Sequence, residues 1–442
     1  LIAVLETAMK EDNYGFLKET FAGSRPEDIA EAISAVGIHD AIKALNQISG
    51  RLYFQVFEHI NLDMQVQLVS RLNRKQTIKI LEELSPDDRV DILDRLPEKT
   101  VDTLLPLMAQ AEREDAKRLL QYGDDTAGTI MTTEYATLPI NYTASEALQY
   151  LQKIAPNSET IYYLYIIDKQ RVLKGILSLK DLVLAYPYEH IQDIMNTDFI
   201  AVYVDIDKED VAQTFVKYDL MAIPVINREE KMVGIVTVDD AMDVVVEEQT
   251  EDVHRMGALD PVETPYLKTA FWKLARNRGL WLMILFFGVS FTGAALKHFH
   301  DTLEAAIALV YFVPLIVSSG GNTGSQSVTL ITRALAVGEV QSKDLIPVIL
   351  REGLMGMVLG IFLGSIGLMC AFFLQTPAPV CWSVGIALFS VVLAGSLIGG
   401  VLPILLEKIG LDPAIMSSPL VASIVDVIGV IIYFNVAQFF LL

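Results

Sequence analysis

Apolar residues are arranged differently in the two halves of the chain. Up to about residue 264 they alternate with polar residues at helix or strand spacing, whereas from Leu280 onward they form long runs. A helix needs about 20 apolar residues to cross a hydrocarbon core of about 30 Å. Five runs reach that length, at approximately 279–297, 304–333, 346–374, 382–406 and 415–441. Soluble cores do not supply five such runs in succession, so the pattern predicts a membrane domain of five α-helices.

The first 120 residues have the pattern of short helices joined by tight turns. Ser85-Pro-Asp-Asp places an N-cap, a proline and two acidic residues at the start of one helix, and Pro97-Glu opens the next. Repeated short units of this kind predict an all-α superhelical stack. Asp87, Asp91 and Asp94 follow helical spacing and share one face. That face is either an ordinary solvated surface or a surface that binds metal.

Residues 128–252 contain an internal repeat. Ala127-Gly-Thr-Ile-Met is echoed by Gln192-Asp-Ile-Met, and Leu173-Lys-Gly-Ile-Leu by Met232-Val-Gly-Ile-Val. The strands and helices predicted between these marks include 145–154, 161–167, 208–218 and 222–226. The repeat resembles a tandem pair of CBS domains, each an α/β module with the order β-α-β-β-α.

CBS pairs regulate the protein to which they are fused, and many bind adenine nucleotides. By this resemblance, Asp181 and Lys180 occupy the position after the third strand where a carboxylate commonly meets a ribose, with Tyr163 nearby. An adenine nucleotide such as ATP is therefore a candidate ligand.

Acidic residues dominate the first half of the chain. Residues 1–264 hold 25 Lys and Arg against 47 Asp and Glu, a charge of −22, and residues 265–442 carry +1. Carboxylates repel phosphate, which argues against nucleic acid as a partner. A surplus of this size either repels itself or is neutralised by bound divalent cations. An acidic stripe at helical spacing follows the second repeat, and its members are Asp240, Asp243, Glu247, Glu248, Glu251 and Asp252.

Lys and Arg residues near the predicted spans indicate the orientation in the membrane. Those on one side are Lys268, Lys273, Arg276, Arg278, Arg333, Lys343, Arg351 and Lys408, whereas the other side has only Lys297. With an odd number of spans, we expect a multi-pass protein of the cell membrane with its amino terminus in the cytoplasm and its carboxyl terminus outside. The first ten residues lack a basic region and a cleavage site, so no secretory signal is expected.

Two features of the spans are polar where lipid would reject them. The stretch from Pro314 to Ser327 places Gly, Asn, Gln and hydroxyl groups inside the second span. It is either a pore lining or broken helix, or a close helix contact through Gly320 and Gly324. In the fifth span, Asp426 has no basic residue obviously placed to pair with it. Such a carboxylate is either part of a cation pathway or a protonated structural residue.

The order of these features resembles the MgtE family of magnesium channels over essentially the whole chain. Ser318-Ser-Gly-Gly-Asn-Thr-Gly-Ser-Gln and Ser418-Pro-Leu-Val-Ala-Ser-Ile-Val-Asp carry the specific part of the resemblance. It implies a homodimer in the lipid bilayer with a pore lined by the second and fifth spans and closed by cytoplasmic Mg²⁺ through a connecting "plug" helix. The implied domains are 1–126 (acidic N domain), 127–190 and 191–246 (CBS domains), 247–275 (plug helix) and 276–442 (transmembrane domain).

The resemblance also assigns roles to residues. Asp426 matches the pore carboxylate that attracts hydrated Mg²⁺, an ion that loses its water reluctantly. Ala422, Gly320, Gly321 and Asn322 belong to the same motifs, and Ala422 and the glycines are expected to offer nearby backbone carbonyls. The residues that match regulatory carboxylates are Asp87, Asp91, Asp207, Glu209, Asp219, Asp240, Asp243, Glu248, Glu251 and Asp252.

The chain departs from the family pattern at two positions. Gln55 stands where relatives can carry an acidic residue, which should weaken one cytoplasmic site. Ser418 stands where some relatives have Asn, near the cytoplasmic mouth of the pore.

The sequence therefore predicts a Mg²⁺-selective channel for uptake, closed by Mg²⁺ bound at acidic faces of the N, CBS and plug elements. An ion-coupled secondary transporter of divalent cations that uses Asp426 is the alternative. A membrane-anchored sensor without transport would leave the polar stretch unexplained. No enzyme is expected, because the sequence contains no His-Glu-x-x-His motif and no P-loop.

Overall fold

The computed structural model describes residues 1–11, 13–123, 125–262, 266–267 and 269–441. It divides the chain into two compact units, Leu1–Val245 and Val246–Leu442. The first unit contains most of the acidic half, and the second contains the rest of it and the apolar half. Each is described by itself.

The first unit begins with short helices packed on a common apolar core. They are α1 (Ile2–Lys10), α2 (Tyr14–Ala22), α3 (Pro26–Ala35), α4 (Ile38–Leu45), α5 (Arg51–Glu58), α6 (Leu62–Arg71), α7 (Arg74–Glu83), α8 (Pro86–Asp94), α9 (Glu98–Leu104) and α10 (Gln110–Leu119). Capping residues in the sequence determine where several of these helices begin. Asn61 and Asn73 accept backbone N–H groups at the starts of α6 and α7. Ser85 and Pro86 open α8 as the sequence predicts.

Two similar α/β modules follow. The first contains β1 (Tyr135–Pro139), α11 (Ala144–Ile154), β2 (Thr160–Ile167), β3 (Leu173–Ser178) and α12 (Leu179–Leu184); the second contains α13 (Ile191–Ile194), β4 (Val202–Tyr203), α14 (Lys208–Tyr218), β5 (Ala222–Ile226), β6 (Met232–Thr237) and α15 (Val238–Met256). In each sheet the first strand pairs parallel with the second, and the second pairs antiparallel with the third. The predicted pair of β-α-β-β-α modules is confirmed.

The segment that leads into each module packs on the sheet of the other module. Thr132 exchanges two backbone hydrogen bonds with Ile235 of β6, at 2.8 and 2.9 Å. Asn196 exchanges two with Ile176 of β3, also at 2.8 and 2.9 Å. Gly234 leaves room for the preceding Met131, because a Cβ there would lie 2.6 Å from the Met131 sulfur atom. The two modules are therefore interlocked.

The predicted connecting helix over 247–275 is wrong in its extent. Helix α15 begins at Val238, directly after β6, and ends at Met256. Gly257 follows, and Ala258 has a left-handed φ of 57°. This left-handed conformation is unfavourable for continuing a helix. Among the described residues, the next helix begins at Phe271.

The second unit contains five helices long and apolar enough to cross a membrane, counted over the described residues. They are α16 (Phe271–His298), α18 (Val313–Ala336), α19 (Leu345–Phe373), α20 (Ala378–Lys408) and α21 (Ser418–Leu441), and the short α17 (His300–Ala305) lies between the first two. The prediction of five spans is confirmed. Helix α18 is continuous through its polar stretch, so the broken-helix alternative is wrong.

Helix α20 packs on both α18 and α19 through glycines. A Cβ at Gly395 of α20 would lie 2.6 Å from the Gly320 carbonyl oxygen of α18, and a Cβ at Gly364 of α19 would lie 2.6 Å from the Gly385 oxygen of α20. Real Cβ atoms do not approach backbone oxygens this closely. Small residues therefore allow these helix backbones to touch, as is common in membrane helix packing.

Candidate functional site

The Asp426 carboxylate in α21 faces Gly321 of α18. Asp426 is half-buried, and a Cβ added to Gly321 would lie 3.1 Å from Asp426 Oδ1 and 3.5 Å from Ala422 Cβ. Over the described residues, Asp426 has no hydrogen-bond or ion-pair partner in the structure. The structure thus brings three of the predicted pore residues together, namely Asp426, Gly321 and Ala422.

Gly320 does not belong to this group. It points between α20 and α21, where an added Cβ would meet Val391 at 2.4 Å and Val425 at 2.9 Å, and its carbonyl faces Gly395. Because α18 is a continuous helix, its interior carbonyls accept helical hydrogen bonds. In the structure Gly320 therefore faces away from Asp426, and it allows close packing of α18 on α20.

A polar stripe runs along the exposed face of α18, and its members are Ser318, Asn322, Gln326, Thr329 and Arg333. All five side chains are exposed in the single chain, at spacings of three and four residues that keep them on one side of the helix. Asn322 donates a hydrogen bond of 3.4 Å to Ser318. Lipid does not solvate such a row, so this face requires water or another protein surface.

Ser418 connects the polar stripe to the start of α21. Ser325 donates to the Ser418 carbonyl oxygen at 3.2 Å, and the Thr329 and Ser418 hydroxyl oxygens lie 3.1 Å apart. Asp426 lies two turns further along α21, about 12 Å away at 1.5 Å per residue. The serine that departs from the family pattern therefore takes part in a polar contact between α18 and α21.

A second set of carboxylates meets in the first unit where α8 approaches the start of α15. This acidic interface consists of Glu58, Asp87, Asp88, Glu134, Glu159, Asp239 and Asp240. Asp87 Oδ1 is buried, and no hydrogen-bond partner for it exists within the described part of the chain. The Thr237 hydroxyl donates to the Asp240 carboxylate. An orphaned carboxylate oxygen among other carboxylates is a place that a cation would fill.

Burial and mutual repulsion raise the pKa of several of these groups. Burial, followed by the negative charge of Asp87, raises the pKa of both Asp88 and Asp240 to about 8. Burial also raises the pKa of Asp87 itself. The ionised cluster is therefore unfavourable without a counter-charge.

Five members of the acidic interface were missed by the sequence reasoning, and they are Glu58, Asp88, Glu134, Glu159 and Asp239. Burial and the charges of Asp87 and Glu58 raise the pKa of Glu159 to about 7. Burial also raises the pKa of Glu58, with His59 opposing and Asp87 adding to the effect. Burial raises the pKa of Glu134 as well, although the positive charge of Arg89 opposes that rise. The signal that could have found Glu58 is its place on α5 one turn after Gln55, on the helix where an acidic residue was expected.

Several predicted regulatory residues have structural roles at helix ends. Asp207 caps α14 and accepts the Glu209 backbone N–H at 2.9 Å. Asp219 ends the same helix in a left-handed conformation with a φ of 52°. Asp91 lies in α8, and Asp243 and Glu248 lie in α15.

The end of α15 is held by an arginine. Arg255 forms ion pairs with Glu251, one turn earlier, and with Asp412 in the turn before α21. Burial raises the pKa of Asp252, and the charges of Arg255 and Arg333 oppose that rise. Glu251 and Asp252, both predicted metal ligands, thus lie beside basic side chains.

Across the residues that the structure describes, no three His, Cys, Asp or Glu side chains are grouped as a metal cage. Mg²⁺ is usually held by one or two carboxylates with several retained waters, so a full protein cage is not its usual arrangement. The acidic interface, with the unpaired Asp87 oxygen, fits such an ion.

A cavity of about 270 Å³ lies between the two α/β modules. Its lining includes Tyr163, Ser178 and Asp181 from the first module and Asn196 and Asp198 from the second. Asp181 accepts a hydrogen bond of 2.6 Å from Ser178. Lys180 lines an adjoining cavity, also with Tyr163. An aromatic ring, a carboxylate and a lysine together can serve a base, a ribose and a phosphate, so the predicted nucleotide residues share one region.

Family models match three parts of the chain. The model described as a divalent cation transporter matches residues 313–436, the model of the MgtE intracellular N domain matches 24–125, and the CBS domain model matches 127–188 and 191–247. Together with the membrane helices, these matches define the class of protein as a multi-pass membrane transporter with a CBS region.

Similar proteins specify the family. The chain is 41% identical to the magnesium transporter MgtE of Thermus thermophilus over 343 residues, which cover 76% of this chain and 75% of that protein. It is 34% identical to the magnesium transporter MgtE of Bacillus subtilis over 337 residues, 76% of this chain and 74% of the relative. The chain belongs to the MgtE family.

Two solved structures match about half of the chain. The crystal structure of the cytosolic domain of the Mg²⁺ channel MgtE in complex with ATP matches with a TM-score of 0.52 and 33% identity, over 55% of this chain and all of that one. The soluble part of a magnesium transporter matches with a TM-score of 0.51 and 32% identity, over 56% of this chain and 97% of that one.

Proposed function

We propose that two copies of this chain form a Mg²⁺-selective channel that admits Mg²⁺ to the cytoplasm and closes when cytoplasmic Mg²⁺ binds the acidic interface. Relatives at 34–41% identity are named magnesium transporters, which supports Mg²⁺ as the transported ion. Mg²⁺ is here both the cargo and the regulatory ion.

The observation that carries the pore proposal is the exposed polar stripe of α18 beside Asp426. Five polar or charged side chains on a lipid-facing helix would be strongly unfavourable. A second copy of the chain, related by a two-fold axis, can cover the stripe and enclose a water-filled path. Two Asp426 carboxylates would then face one ion that keeps its hydration shell.

The acidic interface supports closure by the same ion. Without a cation, Asp87, Asp88 and Asp240 must either repel one another or bind protons where α8 meets α15, and both weaken that contact. Mg²⁺ bound to Asp87 and its neighbours would stabilise that contact. Loss of the ion would loosen it, and α15, whose end is tied to the turn before α21 by Arg255, would transmit the change.

The basic residues at the helix ends support a cytoplasmic amino terminus. Arg333 lies near the end of α18, Lys343 lies before α19 and Lys408 ends α20, whereas Lys297 is near the end of α16. In this orientation the negative interior potential of a cell drives Mg²⁺ inward through a passive pore.

ATP is proposed as a second cytosolic ligand, held by Tyr163, Lys180 and Asp181 at the cavity between the modules. The ATP complex of the similar cytosolic domain supports this proposal. Tyr163 would contact the base, Asp181 would accept from ribose hydroxyl groups, and Lys180 would meet phosphate.

Patch-clamp recording of the reconstituted protein tests the proposal. Mg²⁺ on the cytoplasmic face is stepped between submillimolar and high millimolar levels while single-channel currents are recorded. Openings that vanish as Mg²⁺ rises are expected, and Asp426→Asn should carry no Mg²⁺ current. Flux that requires a second ion gradient, without unitary currents, would instead indicate the coupled transporter.

A further inference from the structure

Glu352 is a buried acidic residue within a membrane-spanning helix. It lies in the second turn of α19 and is 9% exposed, although the neighbouring Arg351 is exposed. Within the described ranges no basic side chain is paired with it. A buried carboxyl group in a membrane domain needs partners that compensate for lost water.

Its partners are hydroxyl groups from two other helices. Ser327 of α18 donates to Glu352 Oε2 at 2.7 Å, and Ser396 of α20 lies 2.6 Å from the same oxygen. Ser396 also lies 3.0 Å from the backbone oxygen of Glu352. Ser327 and Ser396 are 6% and 0% exposed. One carboxyl group thus joins α18, α19 and α20 in a site closed to solvent.

The backbone is shaped around this carboxyl group. A Cβ at Gly400 of α20 would lie 2.6 Å from Glu352 Cγ, so only glycine leaves room for the Glu352 side chain. The preceding residue, Gly399, packs against the Gly324 carbonyl oxygen of α18 so closely that no Cβ atom would fit there. The Glu352 group therefore lies at one end of the tight contact between α18 and α20.

The same contact determines where α18 lies relative to Asp426. Ser327 and Gly321 are six residues apart on α18, about 9 Å along the helix. Gly321 is the residue that faces Asp426, and α18 is packed with α20 on one side and α21 on the other. A shift of α18 away from α20 would change the space beside the carboxylate.

We propose that Glu352 is a positioning residue for ion transport: by bonding Ser327 and Ser396 it holds α18 on α20 and thereby sets the distance between Gly321 and Asp426. The proposal rests on the proposed function, since it assumes that Asp426 lies on the Mg²⁺ path. Glu352 itself contacts no ion in this assignment. Its role requires hydrogen bonding and not charge.

Mg²⁺ uptake into liposomes containing an entrapped Mg²⁺-sensitive dye tests the proposal. Glu352→Ala should lower the maximal rate about tenfold, and Glu352→Gln, which keeps polar atoms at the same place, should stay within about twofold of wild type. Ser327→Ala should lower the rate by a smaller factor. The double variant should be no slower than Glu352→Ala alone, because both changes remove the same hydrogen bond. Ser365→Ala is the control, since that hydroxyl bonds only within α19 in the structure.

Wild-type uptake by Glu352→Ala would overturn the proposal, and so would a Glu352→Gln protein as inactive as the alanine variant, because charge would then be the requirement. If Glu352→Ala does not fold, Ser327→Ala and Ser396→Ala remove the bonds with less disturbance and must themselves lower the rate. A wild-type protein that carries no Mg²⁺ would refute the proposed function instead. Thermal unfolding of the Ser327→Ala, Glu352→Ala and double variants would still measure the hydrogen bond between the two side chains. If the two single losses of stability simply add in the double variant, the bond does not hold the helices together and the proposal is refuted.

Discussion

Arg255 joins Asp412 to Glu251, so one guanidinium group lies between two carboxylates at the end of α15. Asp412 also accepts the Ala414 backbone N–H at 2.7 Å in the turn before α21. The end of α15 is therefore attached to the membrane helices by a positive charge that belongs to the chain. This contact does not need a bound metal ion.

Breaking this ion pair should favour the open channel. Asp412→Asn leaves Arg255 with Glu251 alone, and we expect the cytoplasmic Mg²⁺ concentration for half-closure to rise by about threefold to tenfold, as for a partly buried charge pair. Inside-out patch recordings measure this value. Asp205→Asn, which breaks an exposed pair with Arg228, is the control. An unchanged closing concentration in Asp412→Asn would refute the role of the contact.

The acidic interface predicts how stability depends on pH. The pKa values of Asp88 and Asp240 are about 8 in the folded chain, well above the usual value for Asp. Between the usual pKa of about 4 and pH 8, the folded state therefore binds more protons than the unfolded state. In EDTA, the melting temperature should therefore fall as pH rises from 5 towards 8. Mg²⁺ replaces the protons as counter-charge, so it should raise the melting temperature most at pH 8.

The double variant Asp87→Asn/Asp240→Asn tests which groups are responsible. It should reduce both the pH dependence and the Mg²⁺ effect in thermal unfolding of the full chain. Asp102→Asn, an exposed change on α9, should reduce neither. Equal responses in all three proteins would show that the acidic interface does not bind the ion.

Gly321→Ala should impair transport by crowding Asp426. The added Cβ would lie 3.1 Å from the carboxylate oxygen, tighter than ordinary contact, so the carboxylate must move. We expect a loss of about tenfold or more in Mg²⁺ flux with little loss of folded protein. Gly293→Ala on α16, where a Cβ meets nothing within 4 Å, should behave as wild type. Equal flux in both variants would place Gly321 outside the path.

Gly395→Ala should destabilise the membrane domain. Its Cβ would press on the Gly320 carbonyl oxygen, and overpacking of this kind costs about 1–3 kcal/mol. A lower melting temperature in detergent is expected, with Gly279→Ala, which has open space, as the control. Matching melting temperatures would mean that α18 and α20 separate easily.

Local signals explain what the sequence predicted well. The start of α8 depends on Ser85 and Pro86, and the repeated strands depend on alternation within five or six residues, so neither requires knowledge of distant contacts. Gly320 and Gly321 show what local signals cannot predict, namely which neighbouring helix each residue faces. A motif supplies both glycines, but the rotation of α18 decides that one meets α20 and the other meets Asp426.

Residues that act through distant partners were missed for the same reason. Glu58 ends α5, Glu134 precedes β1 and Glu159 precedes β2, so they meet only when the N domain packs on the modules. Glu352 follows Arg351 near the start of the third predicted span, and nothing local in the sequence distinguishes it from a charge at the membrane surface. Its burial depends on Ser327 and Ser396, which are 25 and 44 residues away.

The exchanged segments of the two α/β modules have a consequence for how the chain can be divided. Thr132 completes the sheet of the second module and Asn196 completes that of the first. A cut at the boundary of the sequence repeat, between residues 190 and 191, would leave each half with an uncovered strand edge and without the methionine that fills the space at its glycine. The repeat is therefore a unit of sequence but not of folding, and the smallest piece that can close its own sheets contains both copies.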